Sequence, residues 1–156
     1  MSVDQRLAEL GVELPILGPP APNRLRAVTV GNLVFVSGHV AAPIDDAPAR
    51  AGKVGQDVTV AEAADLARRT ALALLSSLRQ EAGSLDRVRR IVKVFGMVNC
   101  APGFNQTPTV VDGCSDLLVE VFGPDIGRHA RSAVGVAELP ADAPVEIEMI
   151  VELSNE

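Results

Sequence analysis

The sequence predicts an α+β domain, one mixed β-sheet with two helices packed on a single face. Three observations predict it. The elements read strand, strand, helix, strand, helix, strand, strand. Apolar residues recur at three-and-four spacing in two long stretches and at alternate positions in the last one. No composition shift, linker or internal repeat divides the 156 residues, a length that suits one core.

Ser2 or Asp4 caps a short helix over about 4–10, which Gly11 ends. The next segment, GVELPILGPPAPNR, has four prolines. Proline fixes φ and lacks a donor, so this is an extended arm. Residues 1–19 are therefore read as a helix and arm, and 20–153 as the domain. Runs 25–30 and 33–37 flank Gly31-Asn32, a two-residue turn that makes them a hairpin. The second strand, LVFVS, is almost wholly apolar, is expected to be buried on both faces or central, and stops at Ser37-Gly38-His39. Residues 40–56 form a long loop with a turn at Asp45-Asp46. Thr59 and Glu62 have capping-box spacing, and the helix they open runs to about Ala82, where Gly83 stops it. Ser84 starts a short turn, and 88–98 is a strand centred on Ile91, Val92, Val94 and Phe95. A breaker-rich loop precedes a second helix over 109–122, ended by Gly123-Pro124.

The last unit, 131–154, reads as a β-hairpin turning at 140–143, with Arg131 opposite Glu152. Val145, Ile147, Met149, Val151 and Leu153 alternate with Glu146, Glu148, Ile150 and Glu152, so one side of that strand is core and the other carries carboxylates. On this reading Arg131 and Glu146 stand roughly 20 Å apart at strand rise. They meet only if the strands bend or if separate copies of the chain contribute one each. A half-apolar sheet face left in water is unusual for a monomer, and oligomerisation through it is the expected solution.

Composition narrows the function. The net charge is −6, Trp and Tyr are absent and Phe occurs four times. There is no basic face to neutralise phosphates and no stacking platform, so nucleic acid is not an expected partner. No apolar run approaches the ~20 residues of a membrane span, and the N-terminus is unlike a signal peptide, so a cytoplasmic location is expected. Cys100 and Cys114 have no metal-like spacing and are read as reduced. Gly52-Lys53-Val54-Gly55 lacks the Gly-Lys-Ser/Thr that opens a helix in a phosphate loop.

Four stretches in register carry a family resemblance: GNLVFVSG at 31–38, GSLDRV at 83–88, ARSAVGVAELP at 130–140 and VEIE at 145–148. Over residues 20–153 the chain resembles the RidA/YjgF family, also called endoribonuclease L-PSP-like proteins. The resemblance implies a chorismate-mutase-like fold and a homotrimer whose sheets form a central barrel, with ligand sites in clefts between subunits. It implies hydrolysis of enamines and imines to 2-keto acids and ammonia, with no metal or cofactor.

It also implies site residues. The substrate-carboxylate arginine falls on Arg131, the water-positioning glutamate on Glu146, and the ligand-orienting backbone on Gly38 and His39. At four positions the chain departs from the family pattern: the family tyrosine falls on Arg24, the cysteine after the arginine on Ala133, the helix asparagine near Ser115, and the glutamine after Ser-Gly on His39.

Each residue type has a chemistry and a plainer alternative. A guanidinium grips a carboxylate with two prongs, but Arg131 would equally pair with a carboxylate across a subunit interface. Glu146 would orient water as a general base, or lie on a solvated strand face. Arg24 with Arg131 would suit a dianion, or Arg24 is simply solvated. His39 would titrate near neutrality as an acid, or is structural, the commoner case for a lone histidine after a turn; His129 is read with the same caution. The reading is a trimeric imine deaminase-like hydrolase acting on small 2-imino acids. The alternative is a non-catalytic protein binding small carboxylates in the same clefts. An RNA-cleaving or chaperone-like role is weakened by the acidic charge and the missing aromatics.

Overall fold

The computed structural model describes residues 1–43 and 50–155. The expected turn at Asp45-Asp46 lies outside the described residues. The elements are α1 (Val3–Glu9), β1 (Ala27–Val30), β2 (Leu33–His39), α2 (Val60–Ala82), β3 (Val88–Asn99), α3 (Thr107–Gly127), β4 (Ala130–Val136) and β5 (Val145–Leu153). Both capping boxes form, Ser2 with Gln5 and Thr59 with Glu62, and Gly83 closes α2 with φ 79°. Each satisfies backbone donors or acceptors that a helix end leaves free. Helix α3 runs past the expected stop: Gly123 leaves the helical region at φ 78°, ψ 167°, and a last turn then resumes from Pro124 to Gly127.

The sheet is mixed, in the order β1-β2-β5-β3-β4. β3 and β4 are parallel, and every other pair is antiparallel. The expected pairing of β4 with β5 does not occur, because β3 lies between them. β4 follows a crossover helix, α3, and such a connection places it parallel beside β3. β5 then takes the other edge of β3, where its alternate apolar residues are buried on the helix side. Arg131 therefore pairs with Val94, which pairs in turn with Met149; Glu152 faces Arg90 and Leu33.

Helices α2 and α3 cover one face. The core beneath them contains Val34, Leu74, Leu78, Ile91, Val94, Leu117, Ile147 and Val151, all fully buried. The two helices approach closely where Gly113 meets the carbonyl of Ala64, and a Cβ there would collide with it. The sheet's other face has no helix over it. It carries Val28 and Val30 of β1, Leu33 and Phe35 of β2, Glu146, Glu148 and Ile150 of β5, and Phe95 and Met97 of β3. Val30 is 63% exposed and Phe35 43%. Among the described residues, no helix is long and apolar enough to cross a membrane.

Candidate functional site

The end of β2 carries a β-bulge. Val36 pairs with Met149 and His39 with Ile147, so three steps on β2 match two on β5. The bulge turns successive side chains to opposite sides. His39 points toward α2, with Nε2 2.7 Å from Ser77 Oγ and Nδ1 2.7 Å from Ser37 O. A carbonyl only accepts, so Nδ1–H donates to Ser37 and Nε2 accepts from the Ser77 hydroxyl. Burial holds this imidazole below its ordinary pKa; Ser37 opposes that and Arg26 adds to it. Both ring nitrogens are thus engaged, Nδ1 within β2 and Nε2 in joining β2 to α2.

Glu146 stands on the open side of the sheet, with its carboxyl group against the Cα of Gly38; a Cβ on residue 38 would collide with Oε1. Burial, and secondarily the neighbouring Glu148, raise the pKa of Glu146. A side chain at 38 would therefore have to displace the Glu146 carboxyl group, the far end of a flexible side chain, from its place against the backbone.

Around the bulge lies a cleft of about 320 Å³, whose lining includes Leu17, Arg24, Arg26, Gly38, His39 and Ala73. Arg26 donates to Pro19 O at 3.3 Å. A larger cavity, about 600 Å³ between Val40, Leu66, Pro144 and Val145, is mostly apolar. Its one cation among the described lining residues, Arg50, is engaged by Asp57 O and Glu62. Size alone would favour that cavity; the density of ionic and backbone groups favours the cleft at Gly38.

Arg131 lies elsewhere. It is in register with buried Val94, so it points to the helix side of edge strand β4. Its Nη1 donates to Asp112 Oδ1 at 2.7 Å and to Ser115 Oγ at 3.1 Å, and its Nη2 reaches Pro108 O only at 3.5 Å. The carboxylate partner is thus in its own chain rather than across an interface. Ser115 Oγ is 3.0 Å from His129 Nε2, and His129 Nδ1 is 2.6 Å from Gly127 O. By the same donor logic His129 accepts from Ser115, which leaves the Ser115 oxygen free to accept from Arg131. Burial, and to a lesser degree Arg131, hold His129 below its ordinary pKa, against the Gly127 carbonyl. Burial pushes the thiol of Cys114 up to about 12, although Arg131 pulls the other way. That thiol is inert, and both cysteines are free.

Glu146 pairs with Met97, which pairs with Val134, three residues beyond Arg131. The two proposed site residues thus stand on opposite sheet faces, about 10 Å apart along the strands and two strand spacings across. One copy of the chain puts Arg24, Gly38 and His39 on one cleft, Glu146 against Gly38 from the open side of the sheet, and Arg131 with Ser115 at another place. Asp112 escaped the sequence reading. Its signal was the pair Asp112 and Ser115 at i, i+3 on α3, one helical face that meets the start of the next strand. Among the described residues, no group of three His, Cys, Asp or Glu side chains is placed to hold a metal.

This architecture has known relatives. The family model described as YjgF/chorismate mutase-like endoribonuclease matches residues 4–153. The chain belongs to the YjgF/RidA family. It is 42% identical over 154 residues to Protein TCP17 of Trypanosoma cruzi, covering 98% of this chain and 95% of that protein. It is 28% identical over 140 residues to the 2-iminobutanoate/2-iminopropanoate deaminase of Dermatophagoides farinae, covering 90% and 93%. The crystal structure of Atu1372 from Agrobacterium tumefaciens, a protein of unknown function, superposes with a TM-score of 0.86 at 40% identity, covering 97% of this chain and 92% of that one.

Proposed function

We propose that the protein is a homotrimeric hydrolase of small 2-imino acids, working in clefts that two copies of the chain build together. The observation that carries this reading is the Glu146 carboxyl group packed against Gly38, with its pKa raised by burial, where Gly38 lines a cleft that also holds Arg24 and Arg26. A carboxylate with a raised pKa is a better base and gives up its proton at higher pH. The family relationship and the deaminase relative support the substrate class.

In this reading the Arg131 of a neighbouring copy binds the substrate carboxylate, giving up Asp112. That exchange costs little, because the Asp112 side chain is 52% exposed and such pairs contribute only ~0.2–1 kcal/mol. Glu146 takes a proton from water as the water oxygen bonds to the imine carbon, and the C=N π pair moves to nitrogen. Glu146 returns that proton to nitrogen, giving the carbinolamine; it then takes the hydroxyl proton and passes it to the amine as the C–N bond breaks, so that ammonia leaves and the 2-keto carbonyl forms. The half-apolar open sheet face supplies the surface by which copies associate, in line with the barrel arrangement implied by the family.

The test is keto-acid and ammonia release from 2-iminobutanoate and 2-iminopropanoate generated in situ. Arg131→Ala is expected to lower kcat/KM by roughly a hundredfold, on the scale of a lost charge-assisted carboxylate contact. Equal rates for Arg131→Ala and wild type overturn the role. The Asp112 partner of Arg131 favours a second reading, in which the cleft only binds small carboxylates. Binding of 2-keto acids with no turnover of either imine would select it.

A further inference from the structure

We infer that the cleft beside Gly38 selects a 2-imino or 2-oxo acid bearing a second acidic group, with Arg24 and Arg26 as the specificity-determining cations. The inference rests on the cleft being the ligand site proposed above.

The charge balance of the lining leads to it. The described lining residues include two guanidinium groups, Arg24 and Arg26, and no carboxylate. His39 adds no anion: its imidazole is held toward the neutral form, with both nitrogens engaged. Arg26 is steadied by its bond to Pro19 O. No hydrogen bond or ion pair joins Arg24 to another described residue. Among the described residues it thus has no contact for an incoming anion to break, whereas Arg131 must first release Asp112.

A monocarboxylate held by Arg131 would leave the two cleft cations with no acidic group among the described lining residues, Glu146 lying behind Gly38. A ligand with two acidic groups satisfies both ends: the carboxylate next to the imine carbon on the neighbour's Arg131, and the distal one on Arg24 and Arg26. The reacting carbon is then held toward Gly38 and Glu146. The cleft volume is about 320 Å³. A small diacid fits within it.

Calorimetry on the full chain at low ionic strength, with pyruvate and 2-oxoglutarate as probes, tests this. Wild type is expected to bind 2-oxoglutarate roughly tenfold more tightly than pyruvate, the scale of one added charge-assisted contact. Arg24→Gln is expected to reduce that ratio, and the double variant Arg24→Gln, Arg26→Gln to bring it toward one. Melting of Arg24→Gln at the wild-type temperature shows that the change is not one of folding. Equal affinities in wild type, or a preference that survives in the double variant, overturns the selection while leaving the ligand site standing. Failure of both acids to bind wild type overturns the ligand site, and the selection with it.

Discussion

The two faces of the sheet use the same strands for different ends. On the helix side, every second residue of β5 is buried under α2 and α3, and the contacts are apolar and close. On the open side, the residues between them are Glu146, Glu148, Ile150 and Glu152, next to Phe35, Phe95 and Met97. The first face is a finished core. The second mixes carboxylates with exposed apolar groups, too apolar for water and too charged for a core. Strand alternation allows this: one backbone can present a core and an interface with no compromise at either. The difference teaches that the fold is complete within one chain, whereas the proposed chemistry needs more than one.

The sharpest way to break the comparison is on the helix side. Gly113→Ala would drive a methyl group into the Ala64 carbonyl between α2 and α3. The expected loss is about 3 kcal/mol, the upper range for overpacking, read as a large drop in melting temperature. A variant as stable as wild type would mean that this helix contact is not rigid.

The matching change on the open side should leave the fold and remove the proposed assembly. Phe35→Lys, on an exposed and helix-free part of the sheet, is expected to keep the circular dichroism spectrum while sedimentation falls to the monomer. A persisting oligomer would place the interface elsewhere.

Glu146→Gln separates chemistry from stability. Imine hydrolysis is expected to fall by about a hundredfold, a usual value for a lost general base. Stability should move slightly the other way. Burial raises the pKa of Glu146 in the fold, so its charged form is disfavoured there. The stability linked to this group is full below the ordinary carboxylate pKa of 4.5 and is lost as pH rises through the raised value. Glu146→Gln should therefore melt slightly higher than wild type at neutral pH, and the gap should close in acid. A lower melting temperature at neutral pH would mean that the carboxylate has a stabilising partner.

The smallest effect is expected at His39. Its pKa is lowered from 6.5 by burial, so the neutral ring contributes stability that is present above the unfolded value and is lost as pH falls through the folded one. His129 acts in the same direction. Denaturant midpoints measured from pH 7.5 to 5 should fall, and less steeply in His39→Gln. An unchanged slope would show that His39 does not link the histidine range of pH to folding.

Much of this fold was legible in the chain itself. The capping boxes at Ser2 and Thr59, the Gly31-Asn32 turn and the alternation in 145–153 each act over a few residues, so the sequence alone determines them. The family could also be read, because the residues that fix those turns and strand ends recur in order. The partner of β4 could not. The short link between β4 and β5 suggested a hairpin, but backbone donors and acceptors are alike at every residue, and any strand can pair with any other.

Only tertiary structure decided that β3 separates β4 from β5, because that order lets alternate apolar residues of β3 and β5 be buried side by side beneath the helices. The same order put Arg131 and Glu146 on opposite faces and gave Arg131 an Asp112 partner 19 residues earlier. Periodicity tells which residues share a side of one strand. It is silent on which strands lie next to each other, since that depends on the summed burial of the whole chain.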